Sequence, residues 1–309
     1  MTVPAAAYEL LAAPAAFSLA FLHARRAVGT GRATVEILAL VAYGYALERV
    51  AIAVFASHVY GTSWRLAPGG VPLAVAATWA AVITSSMALA ARLSGPSPWE
   101  RAAVAALFGT SLDLLMEPVA AARGLWSWTP PGPWLGVPVG NFVGWSVIVG
   151  AYTLGAERFA DGASLPRQAV RRVALGAASV AALVLVGLAW TALGAERAFG
   201  GGVGWLAVLA LWALAWTRTR RPPARVLGDG LAARLGRAGG ALPGIVLLLL
   251  AALFAGDAGT LGDPRLAVVA CAALGVLGAA ARAARPGVTV LETPNGTSCE
   301  GFPGPSPSG

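Results

Sequence analysis

Asp113 and Glu117 stand one helical turn apart inside the apolar stretch GTSLDLLMEPVAAARGLW, which runs from Gly109 to Trp126. Residues at i and i+4 share a helix face, and the neighbours here are Leu112, Leu114, Leu115 and Met116. Both carboxyls are therefore expected to be buried. A third acid, Glu48, sits beside Arg49 in an earlier apolar run. Ionisable groups at bilayer depth cost about 2.5–3.5 kcal/mol each on insertion scales, and they mark function by default. Apolar surroundings oppose ionisation of a carboxyl, whereas a nearby Arg favours it. Three acids and one Arg can thus keep one carboxyl protonated and another ionised, the division that general acid and base roles need. A proton-coupled carrier uses the same ingredients, so these residues leave enzyme and carrier both open.

The structural readings compete with the chemical ones. Glu48 and Arg49 could tie two helices together through Asp113 or Glu117, and Glu117 could simply serve the helix kink. Pro118 has no N–H and frees the carbonyl of Leu114, which a protonated Glu117 or a water could satisfy.

Aromatic residues gather near the same acids. Tyr60, Trp64, Trp126, Trp128, Trp134 and Trp145 fall around the ends of four apolar runs. Interfacial belts use Trp and Tyr in this way, and Trp134 is read as such a residue. Trp79 and Trp145 lie deeper, where aromatic faces could line a slot for a long polyene or stabilise a developing cation. Asn141, in GNFVGW, is placed to hold a water or a substrate oxygen.

Several chemistries can be struck out from composition. His23 and His58 are too few for a His-rich di-iron site. All 22 basic residues are Arg, so no phosphate loop ending in Lys exists. Clustered Asp residues for magnesium and diphosphate are missing. Cys271 lies in an apolar run and Cys299 near the end, which supports neither a disulfide framework nor a Cys metal site. No metal and no cofactor is expected.

The elements that must position these residues are membrane helices. The 309-residue chain is 57% hydrophobic and 12% charged, with a mean hydropathy of +0.71, far from a soluble domain. Nine apolar runs are long enough to approach a bilayer crossing, at 5–22, 35–57, 71–91, 102–122, 137–156, 169–193, 203–217, 241–255 and 266–284. The expected fold is an all-α, polytopic transmembrane bundle of about 7–9 spans, filling residues 1–284. The first run carries its positive charges after it, at Arg25 and Arg26, the order of an anchor rather than a cleaved signal peptide. Arginines crowd the loops after spans one, three, five, seven and nine, while the other loops hold one each. By the positive-inside rule the N-terminus is outside and the C-terminus cytoplasmic. The net charge of +8 is thus a topology signal, and no nucleic-acid partner is expected. The Arg-rich 218–240 segment reads as a cytoplasmic loop with a short amphipathic helix at the lipid surface. The tail 285–309, rich in Pro, Gly and Ser, reads as disordered.

A repeat is also visible. Gly70-Val71-Pro72 precedes Trp79 as Gly136-Val137-Pro138 precedes Trp145. Residues 35–91 and 102–156 align as two copies, with Glu48 opposite Asp113, and parallel repeats of this kind form sites at their interface.

LDLLMEPVAAARGLWSW followed by GVPVGNFVGW resembles the membrane-bound carotenoid biosynthesis proteins of the CruF type, the carotenoid 1',2'-hydratases. The run YGTSW to GVPLAVAATW looks like the same family's loop before a Val-Pro-Leu span, although a second Tyr expected near Trp64 is absent from HVYGTSW. The resemblance covers residues 35–160, the implied catalytic core. It implies addition of water across the terminal C=C of an acyclic carotenoid end group, as in lycopene or γ-carotene, giving a tertiary alcohol without oxygen or a redox cofactor. On that reading Asp113 donates the proton, and Glu117 or Glu48 orients or deprotonates the water. Arg49, Tyr60, Trp64, Trp79, Trp126, Trp128, Asn141 and Trp145 shape the substrate site. The implied setting is multi-pass in a bacterial inner membrane, with the lipid bilayer, the carotenoid and other enzymes of the pathway as partners. A proton-coupled transporter and a non-catalytic carotenoid-binding scaffold are the alternatives.

Overall fold

The computed structural model describes residues 5–158, 164–199, 210, 213–214, 217–218 and 230–284. Among the described residues, eight helices are long and apolar enough to cross a membrane: α1 (Ala5–Val28), α2 (Thr30–Phe55), α3 (Leu73–Leu93), α4 (Pro98–Ala122), α5 (Val139–Arg158), α6 (Leu165–Ala192), α9 (Leu242–Leu261) and α10 (Pro264–Ala283). Two short helices, α7 (Ala195–Ala198) and α8 (Leu231–Arg237), lie between α6 and α9. The protein is an all-α bundle of membrane-spanning helices. The seventh expected span, 203–217, and the tail from 285 lie outside the described residues or nearly so.

Helix limits follow local rules. Gly29, with φ 80°, breaks the chain between α1 and α2, a backbone angle that glycine adopts without steric cost. Pro98 and Pro264 occupy first-turn positions, where a missing N–H is harmless. Asp263 precedes α10 and accepts the Arg265 N–H at 2.9 Å, satisfying one of the free donors of that turn.

Helices α3 and α4 form the centre, with 89% and 94% of their apolar windows buried, whereas α6 is only 17% buried. Small residues let the helices approach closely, the usual substitute for hydrophobic driving force in lipid. At Gly44 a Cβ would stand 2.7 Å from Trp79 Cβ, so α2 meets α3 backbone to side chain one turn before Glu48.

One end of the bundle carries a two-stranded antiparallel ribbon, β1 (His58–Tyr60) and β2 (Trp126–Trp128), with His58 opposite Trp128 and Tyr60 opposite Trp126. It is built from the links after α2 and α4. Each half of the core thus has the order helix, strand, loop, helix. The opposite end holds α8, whose Leu235 carbonyl accepts from His23 at 2.9 Å and whose Gly236 carbonyl accepts from Arg92 at 3.2 Å. Leu231, Ala232 and Leu235 are buried in the bundle. The short helix expected on the lipid surface is therefore packed inside, because its apolar face finds α1 and α3.

Candidate active site

A cavity of about 390 Å³ opens beneath the ribbon, within the range of about 300–1,000 Å³ usual for small-molecule sites. Its walls come from α1 to α6, with the ribbon and the Thr129–Pro133 loop above. Three carboxyls line it, Glu48 from α2, Glu117 from α4 and, at the ribbon end, Glu196 from α7, which is taken up by the Val139 and Gly140 N–H groups.

Glu48 and Glu117 are each gripped by aromatic-ring N–H donors. Glu117 Oε2 accepts from Trp126 Nε1 at 2.6 Å and from Trp128 Nε1 at 3.1 Å. Glu48 Oε1 accepts from Trp79 Nε1 at 2.7 Å, and its Oε2 lies 3.2 Å from His58 Nε2. Tyr60 is a further hydrogen-bond partner of Glu48. The ribbon thereby delivers His58 and Tyr60 to one acid and two indoles to the other. Trp79 and Trp145 complete the wall, with ring centroids 4.0 Å apart.

His58 stands outside the spans, on β1. Burial pulls its imidazole down, but the hydrogen bond and charge of Glu48, with the charge of Glu117, hold the pKa above the ordinary histidine value. Burial and the neighbouring Glu48 push the Tyr60 phenol well above its usual range, so it stays a donor.

Asp113 stands behind this wall. It is fully buried and does not line the cavity. Its Oδ2 accepts from Asn141 Nδ2 at 2.9 Å. Its Oδ1 has no donor, and the Glu117 carboxyl is its hydrogen-bond neighbour. A proton held by either carboxyl would satisfy both. Asn141 itself reaches the cavity.

The sequence model of the carotenoid biosynthesis protein family matches residues 5–212. This chain belongs to that family. No curated protein and no solved structure matches it. The match extends past residues 35–160 on both sides, and so takes in α1 and α6, both of which contribute to the cavity wall of this carotenoid biosynthesis protein through Tyr8, Leu183 and Trp190.

Of the residues singled out in the sequence, Glu48, Tyr60, Trp79, Glu117, Trp126, Trp128, Asn141 and Trp145 meet at this cavity. Three do not. Arg49 points the other way on α2, is exposed, and donates to the Gly69 carbonyl. Among the described residues no arginine bridges Glu48 to Asp113 or Glu117; the cation-forming partner of Glu48 is His58, brought over by β1. Trp64 is buried beside the cavity, where its indole N–H donates to the Leu125 carbonyl at 3.0 Å. Asp113, one turn further from the ribbon on the same face of α4, bonds Asn141 of α5 and does not reach the cavity.

Trp134 also differs from the belt residue expected. It is 2% exposed, and its indole donates at 3.1 Å to the Leu114 carbonyl, the acceptor that Pro118 leaves open. Glu117 is therefore released from serving the kink. Glu157, near the end of α5, has its side chain 3% exposed and paired with Arg101 at 2.5 Å. Sequence reading passed over His58. The signal available was its distance of ten residues from Glu48, in a segment following the helix.

Proposed function

We infer that the chain is a carotenoid 1',2'-hydratase, adding water across the terminal C=C of an acyclic carotenoid end group. The observation that carries the reading is the pair of carboxyls, Glu48 and Glu117, facing one apolar, Trp-lined cavity without an arginine between them. Glu117, rather than Asp113, is the proton donor on this reading, because it alone of the two reaches the cavity.

Protonating a trisubstituted alkene needs a strong acid shielded from water. Two indole N–H groups on Oε2 stabilise the carboxylate that Glu117 becomes on giving up its proton. The proton adds to C2' using the alkene π electrons, and the positive charge falls on the tertiary C1'. Trp79, Trp128 and Trp145 offer aromatic faces to that cation. Water then bonds to C1' through oxygen and loses a proton to Glu48, with His58 beside it as the second acceptor. Asp113 acts through Glu117, as a positioning residue held by Asn141. The proton gained by the Glu48–His58 pair balances the one lost from Glu117, and water in the cavity returns it. No oxidant or reductant is consumed. The setting is a bacterial inner membrane, with the ribbon end outside by the arginine distribution.

Expression in a bacterium that accumulates lycopene tests this. The expected product is heavier by one water per end group hydrated, with oxygen-18 incorporated from labelled water. Label arriving from dioxygen would assign a hydroxylase instead, and purified protein that holds unaltered pigment would assign a scaffold. Flux of a soluble solute into proteoliposomes with carotenoid untouched would assign a carrier.

A further inference from the structure

Towards the ribbon end the cavity is bounded by β1, β2 and the Thr129–Pro133 loop, with a layer of polar contacts beyond them. Beyond β1 and β2, the Glu196 carboxylate from α7 accepts the Val139 and Gly140 N–H groups at 2.7 and 2.9 Å, and Trp190 Nε1 at 3.1 Å. That fastens α7 to the first turn of α5. A long hydrocarbon dissolved in the bilayer has no reason to pass this layer, since it would first have to leave the lipid for water.

The flank formed by α2 and α6 is different. Leu47, Ala51 and Phe55 on α2, with Leu183, Val186 and Gly187 on α6, line the cavity and are all apolar or glycine. Immediately beside them, Val54, Leu185 and Leu188 are 48%, 68% and 52% exposed and belong to the outer surface. One layer of side chains thus separates the cavity from the bilayer here, whereas α3 and α4 stand deep in the bundle on the other side.

The contact that closes this layer is Phe55 on Gly187. A Cβ at Gly187 would lie 2.5 Å from Phe55 Cζ, so the ring occupies the space that any other residue would fill. Glycine inside a helix costs about 1 kcal/mol against alanine, and here the omission of a side chain makes a seat for the ring.

The two helices are fixed together only at their far halves. Arg172 Nε on α6 meets Glu36 Oε2 on α2 at 2.5 Å, and Tyr152 OH donates to Glu36 Oε1 at 2.8 Å. Tyr43 donates to the Ile148 carbonyl of α5 at 3.3 Å and packs on Gly176 of α6. From Leu47 to Phe55, no hydrogen bond or ion pair joins α2 to α6 among the described residues. One half of the seam is pinned and the other rests on van der Waals contact, the arrangement of a hinge with a loose edge.

We propose that the carotenoid reaches the cavity sideways from the bilayer, through the seam between α2 and α6, with the Phe55 ring seated on Gly187 as its door and the Glu36–Arg172 pair as the hinge pin. The seam admits the apolar end group, and the remainder of the polyene stays in lipid. This proposal rests on the reading that the cavity takes a carotenoid, though not on what happens to it there.

The test is the rate at which lycopene in phosphatidylcholine vesicles quenches tryptophan emission of the full-length protein reconstituted beside it. The wild type, Phe55→Ala and Phe55→Trp are compared. Removing the ring is expected to speed uptake and enlarging it to slow uptake, each by about tenfold, the low end of the one to three decades over which on-rates vary among related variants. Opposite changes from one position cannot come from loss of folding. Uptake within twofold of wild type in both variants, or no uptake by the wild type, overturns the proposal. Uptake that obeys the door while the pigment never gains water leaves the door standing and removes the hydratase.

Discussion

Two sets of buried acids occupy this bundle, and they are held differently. At the far end, Glu36 and Glu157 are paired with Arg172 and Arg101 at 2.5 Å each. At the ribbon end, Glu48 and Glu117 receive indole N–H groups and, for Glu48, an imidazole. Glu36, Glu48 and Glu117 are buried, and the Glu157 side chain is 3% exposed. A carboxylate locked to an arginine is held ionised, whereas a carboxyl held by indole and imidazole N–H groups can take up and release a proton. Depth alone therefore does not distinguish a site from a strut; the partner does.

The sharpest way to break that contrast is Glu117→Gln. Gln keeps an oxygen for the two indoles and loses the proton, so turnover is expected to fall by about 10²–10⁴-fold, the usual weight of a general acid, with pigment binding and thermal unfolding near wild type. The reverse pattern is expected at the far end. Arg172→Met leaves Glu36 buried without its cation and should cost about 3–5 kcal/mol of stability, read as a lower unfolding midpoint in detergent, and the further change Glu36→Gln should recover much of it. If Arg172→Met instead removed turnover at unchanged stability, the two ends would not be distinct.

How much of this was readable beforehand varies with the physics involved. Eight of the expected crossings coincide with helices because a bilayer imposes a long apolar run that any reading of hydropathy detects. Their ends were misjudged where helices outlast the apolar core. α1 continues through Arg25 and Arg26 to Val28, and α2 starts at Thr30 with Arg32 in its first turn. Glu48, Glu117 and the indoles were legible because acids and tryptophans are conspicuous in oil. His58, Trp134 on the Leu114 carbonyl, and the rearward position of Asp113 depend on how β1, β2 and the Pro-rich loop fold back, and hydropathy carries no record of that. The same fold-back changes the repeat. Glu48 precedes β1 by ten residues and Glu117 precedes β2 by nine, so the acid corresponding to Glu48 is Glu117, not Asp113.

Asp113→Asn sharpens the comparison within the site. Asn still offers an oxygen to Asn141, and because Asp113 acts from behind Glu117, a loss of about tenfold is expected, well below that of Glu117→Gln. Equal losses would return Asp113 to the role of donor. The smallest effect is a pH dependence. His58 has its folded pKa raised by Glu48, so its stabilising contribution is complete below the unfolded value of about 6.5 and fades as pH rises through the folded value. Turnover needs the neutral ring as proton acceptor and should rise through that same interval above about 6.5. His58→Gln should flatten the rise in a pH–rate profile; an unchanged profile would leave water activation to Glu48 alone.

The central claim is that a protein carboxyl protonates a carbon of the polyene. Purified protein turning over lycopene in deuterium oxide measures it directly. The account requires one non-exchangeable deuterium on the carbon beside the new tertiary alcohol, present with wild type and absent, along with the product, in Glu117→Gln. Product without carbon-bound deuterium, or product formed undiminished by Glu117→Gln, would contradict it.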